Sequence, residues 1–264
     1  MEEYVGKVVI VTGAGGGIGS VIARTFARAG ACLAICDIRA DALARTENEL
    51  KPLTPNLLSS VVDVSSEEEV RDFLSDISRR LGDCHVLVNT VGLVDNLGDV
   101  EELMLSEWDK TIAVNLTSAF LMAKVAVPQM KRNGGGAIVN LASVSGLANQ
   151  PAAMVYSVTK AALISLTKSE AIDLAPYHIR ANAISPGSVD TPMLDEATEL
   201  VGKASGLTAS EQRQRWAEQY PTQRFSSAEE IAELACFLCS DRASNITGAN
   251  VVIDGGLTSV LPER

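Results

Sequence analysis

The sequence predicts an α/β fold: one doubly wound parallel sheet of about seven strands, with helices on both faces. Two observations predict it. Short β-rich runs alternate with longer helical ones from end to end of the 264 residues. Most of the short runs are continuously apolar rather than alternating, as strands covered on both faces must be. No linker, repeat or low-complexity tract interrupts this rhythm, so residues 1–264 read as a single domain.

The first strand, residues 7–12, delivers the chain into Thr12-Gly13-Ala14-Gly15-Gly16-Gly17-Ile18-Gly19. A helix carrying Val21, Ile22 and Phe26 follows at once. Further strands are expected over residues 31–37, 57–63, 85–89, 136–143, 179–185 and 250–253. Helix starts are marked at Ser66-Glu67-Glu68-Glu69, Ser106-Glu107-Trp108-Asp109 and Ser227-Ala228-Glu229-Glu230. Each sets a hydroxyl at the N-cap and an acid three residues later. Right-handed strand–helix–strand crossovers then build the sheet. Residues 186–226 break the pattern: no strand is predicted there, only short helices near 193–202 and 208–219. A long insertion just after a strand end is where an active-site lid belongs.

The net charge of -11 argues against nucleic acid or an anionic membrane as a partner. Lys131-Arg132, the one basic pair in mid-chain, reads as a charged helix end. The five cysteines are odd in number, scattered and set in apolar runs, so a reduced, cytoplasmic protein is expected. The acidic start Met1-Glu2-Glu3-Tyr4 runs straight toward a strand, and no signal peptide is expected.

Glycines in the 12–19 loop let backbone approach a pyrophosphate and aim helix N-terminal amides at it. An acid, Asp37, ends the second strand, the position for a carboxylate that accepts adenosine ribose hydroxyls. A carboxylate there repels a 2′-phosphate, and no Lys or Arg lies inside the loop to attract one. NAD is therefore the expected cofactor rather than NADP, with Arg39 the one nearby cation.

Tyr156 and Lys160 stand one helical turn apart, with Ser143 thirteen residues upstream. A phenol titrates near pKa ~10 and is a poor acid–base group at neutral pH. An ammonium ~4–5 Å away, at an effective dielectric of ~20, favours the phenolate by roughly 4 kcal/mol. The i, i+4 spacing makes that distance reachable.

Loop, acid, serine, tyrosine and lysine together resemble the short-chain dehydrogenase/reductase superfamily, in its single-domain Rossmann-fold form of ~250 residues. The resemblance implies catalytic roles for Asn115, Ser143, Tyr156 and Lys160. It implies cofactor contacts from Gly13, Gly16, Gly17, Ile18, Gly19, Asp37, Asp63, Val64, Asn89, Gly92, Tyr156, Lys160, Pro186, Val189 and Thr191. Tyr156 would exchange the alcohol proton, Ser143 would hold the substrate oxygen, and Lys160 would acidify the phenol and bind the nicotinamide ribose. Asn115 would fix a water linking Lys160 to solvent. Two departures stand out: Asn89-Thr90-Val91-Gly92 where the family has Asn-Asn-Ala-Gly, and Ser226-Ser227 where Gly and Pro often precede the last helix.

The expected activity is hydride transfer between a small or mid-sized secondary alcohol, or its ketone, and NAD. A 3-oxoacyl thioester reductase and a non-catalytic dinucleotide sensor are the alternatives; Asp37 weighs against the first and the retained Tyr156 and Lys160 against the second. Small residues at 157, 161 and 165, on a helix that builds interfaces in the family, lead to an expected homo-oligomer, a tetramer before a dimer. Cys236 and Cys239 have metal spacing but no partner pair, so they read as core, and two isolated histidines make no zinc site. Substrate choice falls to residues 93–100, 144–155 and the 186–226 lid; Trp108 and Trp216 either pack over the site or fill core, Trp216 being the better candidate for a substrate contact.

Overall fold

The computed structural model describes residues 3–94 and 98–261. The chain runs β1 (Val8–Thr12), α1 (Gly17–Arg28), β2 (Cys32–Asp37), α2 (Ala40–Leu50), β3 (Leu57–Val61), α3 (Glu67–Arg80) and β4 (Val86–Asn89). Next come α4 (Leu105–Ile112), a π-helical turn (Ala113–Thr117), α5 (Ser118–Arg132), β5 (Gly136–Leu141), α6 (Met154–Leu174) and β6 (Ile179–Pro186). Then follow β7 (Val189–Asp190), α7 (Pro192–Ser205), α8 (Ala209–Ala217), β8 (Ser226–Ser227), α9 (Ala228–Cys239) and β9 (Asn250–Ile253).

Seven strands form one parallel sheet in the order β3-β2-β1-β4-β5-β6-β9. Along β1, Val9 and Val11 face a layer shared with Ile22 and Phe26 of α1 and Ile231 and Ala235 of α9. Val8 and Ile10 face the other layer, with Phe73 and Ile77 of α3 and Met122 and Met130 of α5. Neither face meets water, which is why the strands read as unbroken apolar runs. Strand order reverses between β1 and β4, and a doubly wound sheet opens its ligand crevice at the carboxyl ends of such a pair. The helical run Leu105–Arg132 is long and apolar enough to cross a membrane, yet here α5 packs on β4, β5 and α3 as a core helix.

Strand ends differ from the sequence expectation for local reasons. β4 starts at Val86 because His85 turns its ring back, Nδ1 accepting the Val8 N–H at 3.0 Å. β5 stops at Leu141, and Ser143 instead caps a 3-10 turn over Val144–Gly146. The second predicted helix start is off by two residues: α4 is capped at Met104, whose N–H donates to Glu107 at 3.1 Å, so Glu107 supplies the box carboxylate and Ser106 lies inside the helix. Ser66 and Ser227 do cap α3 and α9.

The insertion contains a strand after all. β7 pairs with β8 in a two-residue ladder, Val189 against Ser226 and Asp190 against Ser227. Two residues carry no periodicity, so the sequence gives no sign of it. The ladder closes α7 and α8 into a unit with its own small core of Leu194, Tyr220 and Phe225, against which Trp216 packs. Trp216 thus packs as a lid-core residue, the core-filling alternative of the two. Lys131 sits over the Tyr177 ring and Arg132 pairs with Asp83, as a charged helix end should.

Candidate active site

The glycine loop is shaped by what leaves no room for side chains. Gly13 takes φ 63°, the left-handed region that favours glycine. A Cβ on Gly17 would meet Thr191 Cγ2 at 2.8 Å, and one on Gly19 would collide with the Gly13 carbonyl. These positions form a backbone cradle of the kind a pyrophosphate requires, opening onto the N-terminus of α1. The residues present therefore fit a dinucleotide.

Asp37 is buried at the end of β2 and both its oxygens are engaged. Oδ2 accepts the Gly15 N–H at 2.9 Å, and Oδ1 accepts the Arg39 N–H at 2.9 Å. The Arg39 side chain lies mostly in solvent, its Nε 3.4 Å from the same carboxylate. Asp63 and Val64 flank this corner, since the Val62 N–H donates to the Asp37 carbonyl. The Asp63 carboxylate, however, is taken by Ser65, accepting its N–H at 2.9 Å and its hydroxyl at 2.6 Å.

The unusual Thr90 and Val91 fit without strain. Thr90 donates its hydroxyl to the Thr12 carbonyl at 2.6 Å and its N–H to Thr12 Oγ1 at 3.1 Å, locking β4 to the start of the loop. Val91 lies against Gly13. The Asn89 amide nitrogen turns into a buried network, donating to Asn140 Oδ1 at 2.8 Å. Asn140 in turn donates to Thr167 and to Glu170 on α6. The Glu170 carboxyl is pushed up to about 7 by burial, and its Oε1 has no hydrogen-bond partner.

Gly92 leads from the loop to the reactive end of α6. A Cβ there would sit 3.2 Å from Lys160 Nζ. Lys160 is buried, and its ammonium donates to the Leu141 carbonyl at 2.8 Å, 5.6 Å from the Tyr156 ring centroid. Burial lowers its pKa from 10.5 to about 8. The Tyr156 phenol is itself pushed up by burial, with a hydrogen bond from Ser143 pulling the other way. Burial thus works against the charged form of both groups, and the ammonium is held by a carbonyl. Ser143 is buried beside Tyr156 and its Oγ accepts the Ser145 N–H at 3.1 Å.

Asn115 lies in the π-helical turn and holds Leu93 at both ends of its amide. Oδ1 accepts the Leu93 N–H at 2.7 Å, while Nδ2 donates to the Leu93 carbonyl and to Thr159 Oγ1. Thr159 and the Leu141 carbonyl are site groups the sequence reading missed. Thr159 lies three residues after Tyr156, inside the motif itself, but a backbone carbonyl carries no sequence signal.

Pro186 ends β6, Val189 is buried, and Thr191 caps α7 while lying across Gly17. The lid is thus stitched to the cradle. Ser188 donates its N–H to the Tyr220 hydroxyl at 2.9 Å, another unforeseen support. Of the substrate segments, residues 95–97 lie outside the described residues; Gly98 bridges to Ala153 across the site.

The family model described as enoyl-(acyl carrier protein) reductase matches residues 13–258. An uncharacterized oxidoreductase of Thermotoga maritima is 39% identical over 98% of this chain and 100% of its own length. The NAD-dependent glycerol dehydrogenase of Listeria innocua is 36% identical, over 96% of this chain and 94% of its own. The L-sorbose reductase of Gluconobacter frateurii, solved with NADPH and L-sorbose, superimposes with a TM-score of 0.93 at 32% identity, covering 99% of this chain and 100% of that one. A chain so matched along its whole length is an oxidoreductase of the alcohol and ketone class. It belongs to the short-chain dehydrogenase/reductase family.

Proposed function

We propose that this chain is an NAD-dependent dehydrogenase that oxidises a small or mid-sized neutral secondary alcohol, or reduces the corresponding ketone. The observation that carries it is the arrangement of Ser143, Tyr156 and Lys160 at one end of the glycine loop, joined to it through Gly92. Asp37 supports NAD over NADP, because its buried carboxylate occupies the corner where a 2′-phosphate would lie. Relatives of both cofactor preferences exist, so the support for NAD in this chain rests on this residue.

Bound NAD supplies the hydride acceptor and a positive charge beside the phenol. Tyr156 removes the proton from the alcohol oxygen, or returns it to the ketone. Ser143 holds that oxygen by hydrogen bonding where charge develops. Lys160, fixed by the Leu141 carbonyl, would orient the ribose and, as a cation, favour the phenolate. Asn115 and Thr159 position Leu93 and the base of α6.

The cofactor side would be lined by Gly13, Gly16, Gly17, Ile18 and Gly19 at the pyrophosphate, and by Asp37, Asp63 and Val64 at the adenosine. The nicotinamide side would be lined by Gly92, Pro186, Val189 and Thr191. Arg215 lies exposed in the lid, but two other lid cations are already held by acids, Arg213 by Asp190 and Asp195 and Lys203 by Glu199, which supports a neutral substrate. A carboxylate or phosphate would have to displace them.

Assay of NADH formation over a panel of secondary alcohols, for native protein and Tyr156→Phe, tests this reading. Turnover should fall about 100-fold or more in the variant while NADH binding, followed by fluorescence, persists. Near-native turnover in Tyr156→Phe would overturn the mechanism, and no turnover with any alcohol would overturn the activity.

A further inference from the structure

A buried polar chain crosses β4, β5 and α6 behind Lys160, and no step of the proposed reaction uses it. Asn89 and Asn140 are register partners on the two strands. Asn140 spends its whole amide: Oδ1 accepts from Asn89 Nδ2 at 2.8 Å, while Nδ2 donates to Thr167 Oγ1 at 2.9 Å and to Glu170 Oε2 at 2.8 Å. All four side chains are buried. Thr167 is held in turn, donating to the Leu163 carbonyl at 2.8 Å. Asn140 immediately precedes Leu141, whose carbonyl seats the Lys160 ammonium, and Asn89 lies just upstream of Gly92, which walls the same ammonium from β4. A buried carboxylate without a cation costs stability, and Glu170 Oε1 has no hydrogen-bond partner among the described residues, so packing alone gives no reason for an acid here.

We propose that Glu170 is a positioning residue for the hydride transfer: its carboxylate, acting through Asn140, holds the end of β5 so that the Leu141 carbonyl keeps Lys160 beside Tyr156. The inference rests on the dehydrogenase reading of the same site. An ionised acceptor makes the Asn140 bond charge-assisted, roughly twice as strong as a neutral one. Burial holds the carboxyl near 7, so the stronger tie is gained as pH rises through neutrality. The elements packed on α6 bring Glu107, Asp109 and Lys110 from α4 and Arg180 from β6, and Tyr177 follows the helix. Tyr156, Lys160, Lys168 and Asp173 lie on α6 itself. None of these shifts the Glu170 carboxyl, which responds to burial and to the Asn140 hydrogen bond. The pH response is therefore its own.

Two opposed readouts on the full chain test this: kcat/KM at saturating NAD for the alcohol of the panel turned over fastest, and the melting temperature. The native-to-variant ratio of kcat/KM for Glu170→Gln should be near one at pH 6 and climb to about fivefold at pH 8. At pH 8 the same variant should melt above native protein, so it is slower while more stable, which a merely structural residue would not produce. Glu170→Leu, which offers no acceptor, should lose about tenfold or more at pH 8. In an Asn140→Ala background the effect of Glu170→Gln on rate should no longer change with pH. A ratio flat with pH in the native background, the same rise with Asn140 removed, or near-native turnover by Glu170→Leu overturns the inference and leaves the dehydrogenase standing. Slower turnover accompanied by a lower melting temperature in Glu170→Gln does the same. Native turnover of no alcohol in the panel overturns both readings.

Discussion

Lys160 donates to the carbonyl of Leu141 at 2.8 Å, and this contact ties the last residue of β5 to the helix bearing Tyr156. The ammonium has no carboxylate partner there. A buried cation satisfied only by a carbonyl is kept at a cost in stability, and the lowered pKa of about 8 records that cost.

Lys160→Met should therefore be inactive yet more stable. Between about 8 and the ordinary 10.5 the unfolded lysine holds a proton that the folded one has lost. Native stability thus rises with pH across that window, and the penalty is fully present below it. Urea unfolding at pH 7 should show the variant stabilised by roughly 2–3 kcal/mol, with the gain vanishing above pH ~10. A variant less stable than native at pH 7 would contradict this account.

Glu170 acts in the opposite sense. Its folded carboxyl titrates near 7 against an ordinary 4.5, so the native state binds more protons between those values and loses stability as pH rises through them. Glu170→Gln keeps an acceptor for Asn140 and removes the charge. Its melting temperature should exceed that of native protein at pH 8 by several degrees, and the difference should shrink toward zero at pH 4.5. Melting curves that stay parallel across this range would show that the carboxyl does not titrate as described.

Replacing Asp37 by Ser removes the charge facing a 2′-phosphate and leaves Arg39 available to it. The ratio of kcat/KM for NAD over NADP, expected to exceed ~100 in native protein, should fall by about two orders of magnitude or more. Measuring initial rates with both coenzymes decides it. Native preference for NADP would remove the cofactor assignment.

The homo-oligomer expected from the small-residue stripe is a proposal that the geometry of α6 refines. Ser157 faces inward and is buried, while Ala161 and Ser165 lie exposed beside Val158 and Ile172. Light scattering after size exclusion should give a mass near four times the 27.9 kDa chain, with half that value for a dimer. A value near that of a single chain would discard the proposal.

Much of the fold was legible because it is periodic. Continuous apolar runs gave the sheet, and serine–acid pairs gave the starts of α3 and α9. The fold fails to announce itself where a contact replaces a pattern. His85 shortens β4 by capping Val8, and the β7–β8 ladder is two residues long. The start of α4 slips because a carboxylate can close a helix end without a hydroxyl opposite it. At the site, Ser143, Tyr156 and Lys160 were readable from spacing, but their supports were not. The side chain of Asn89 also belongs to a buried network reaching Glu170, which β4, β5 and α6 together assemble in space. The electrostatics also escaped the sequence, because burial of Tyr156 and Lys160 depends on how the whole sheet is covered.

The lid's private core of Leu194, Tyr220 and Phe225 has a consequence for how such a protein can change. Its apolar contacts are mostly its own, with Leu257 beyond β9 packed against them, so substitutions at Leu194 or Phe225 should reshape the entrance more than they disturb the cofactor platform. Substrate range can drift in this chain largely independently of the scaffold that performs the chemistry.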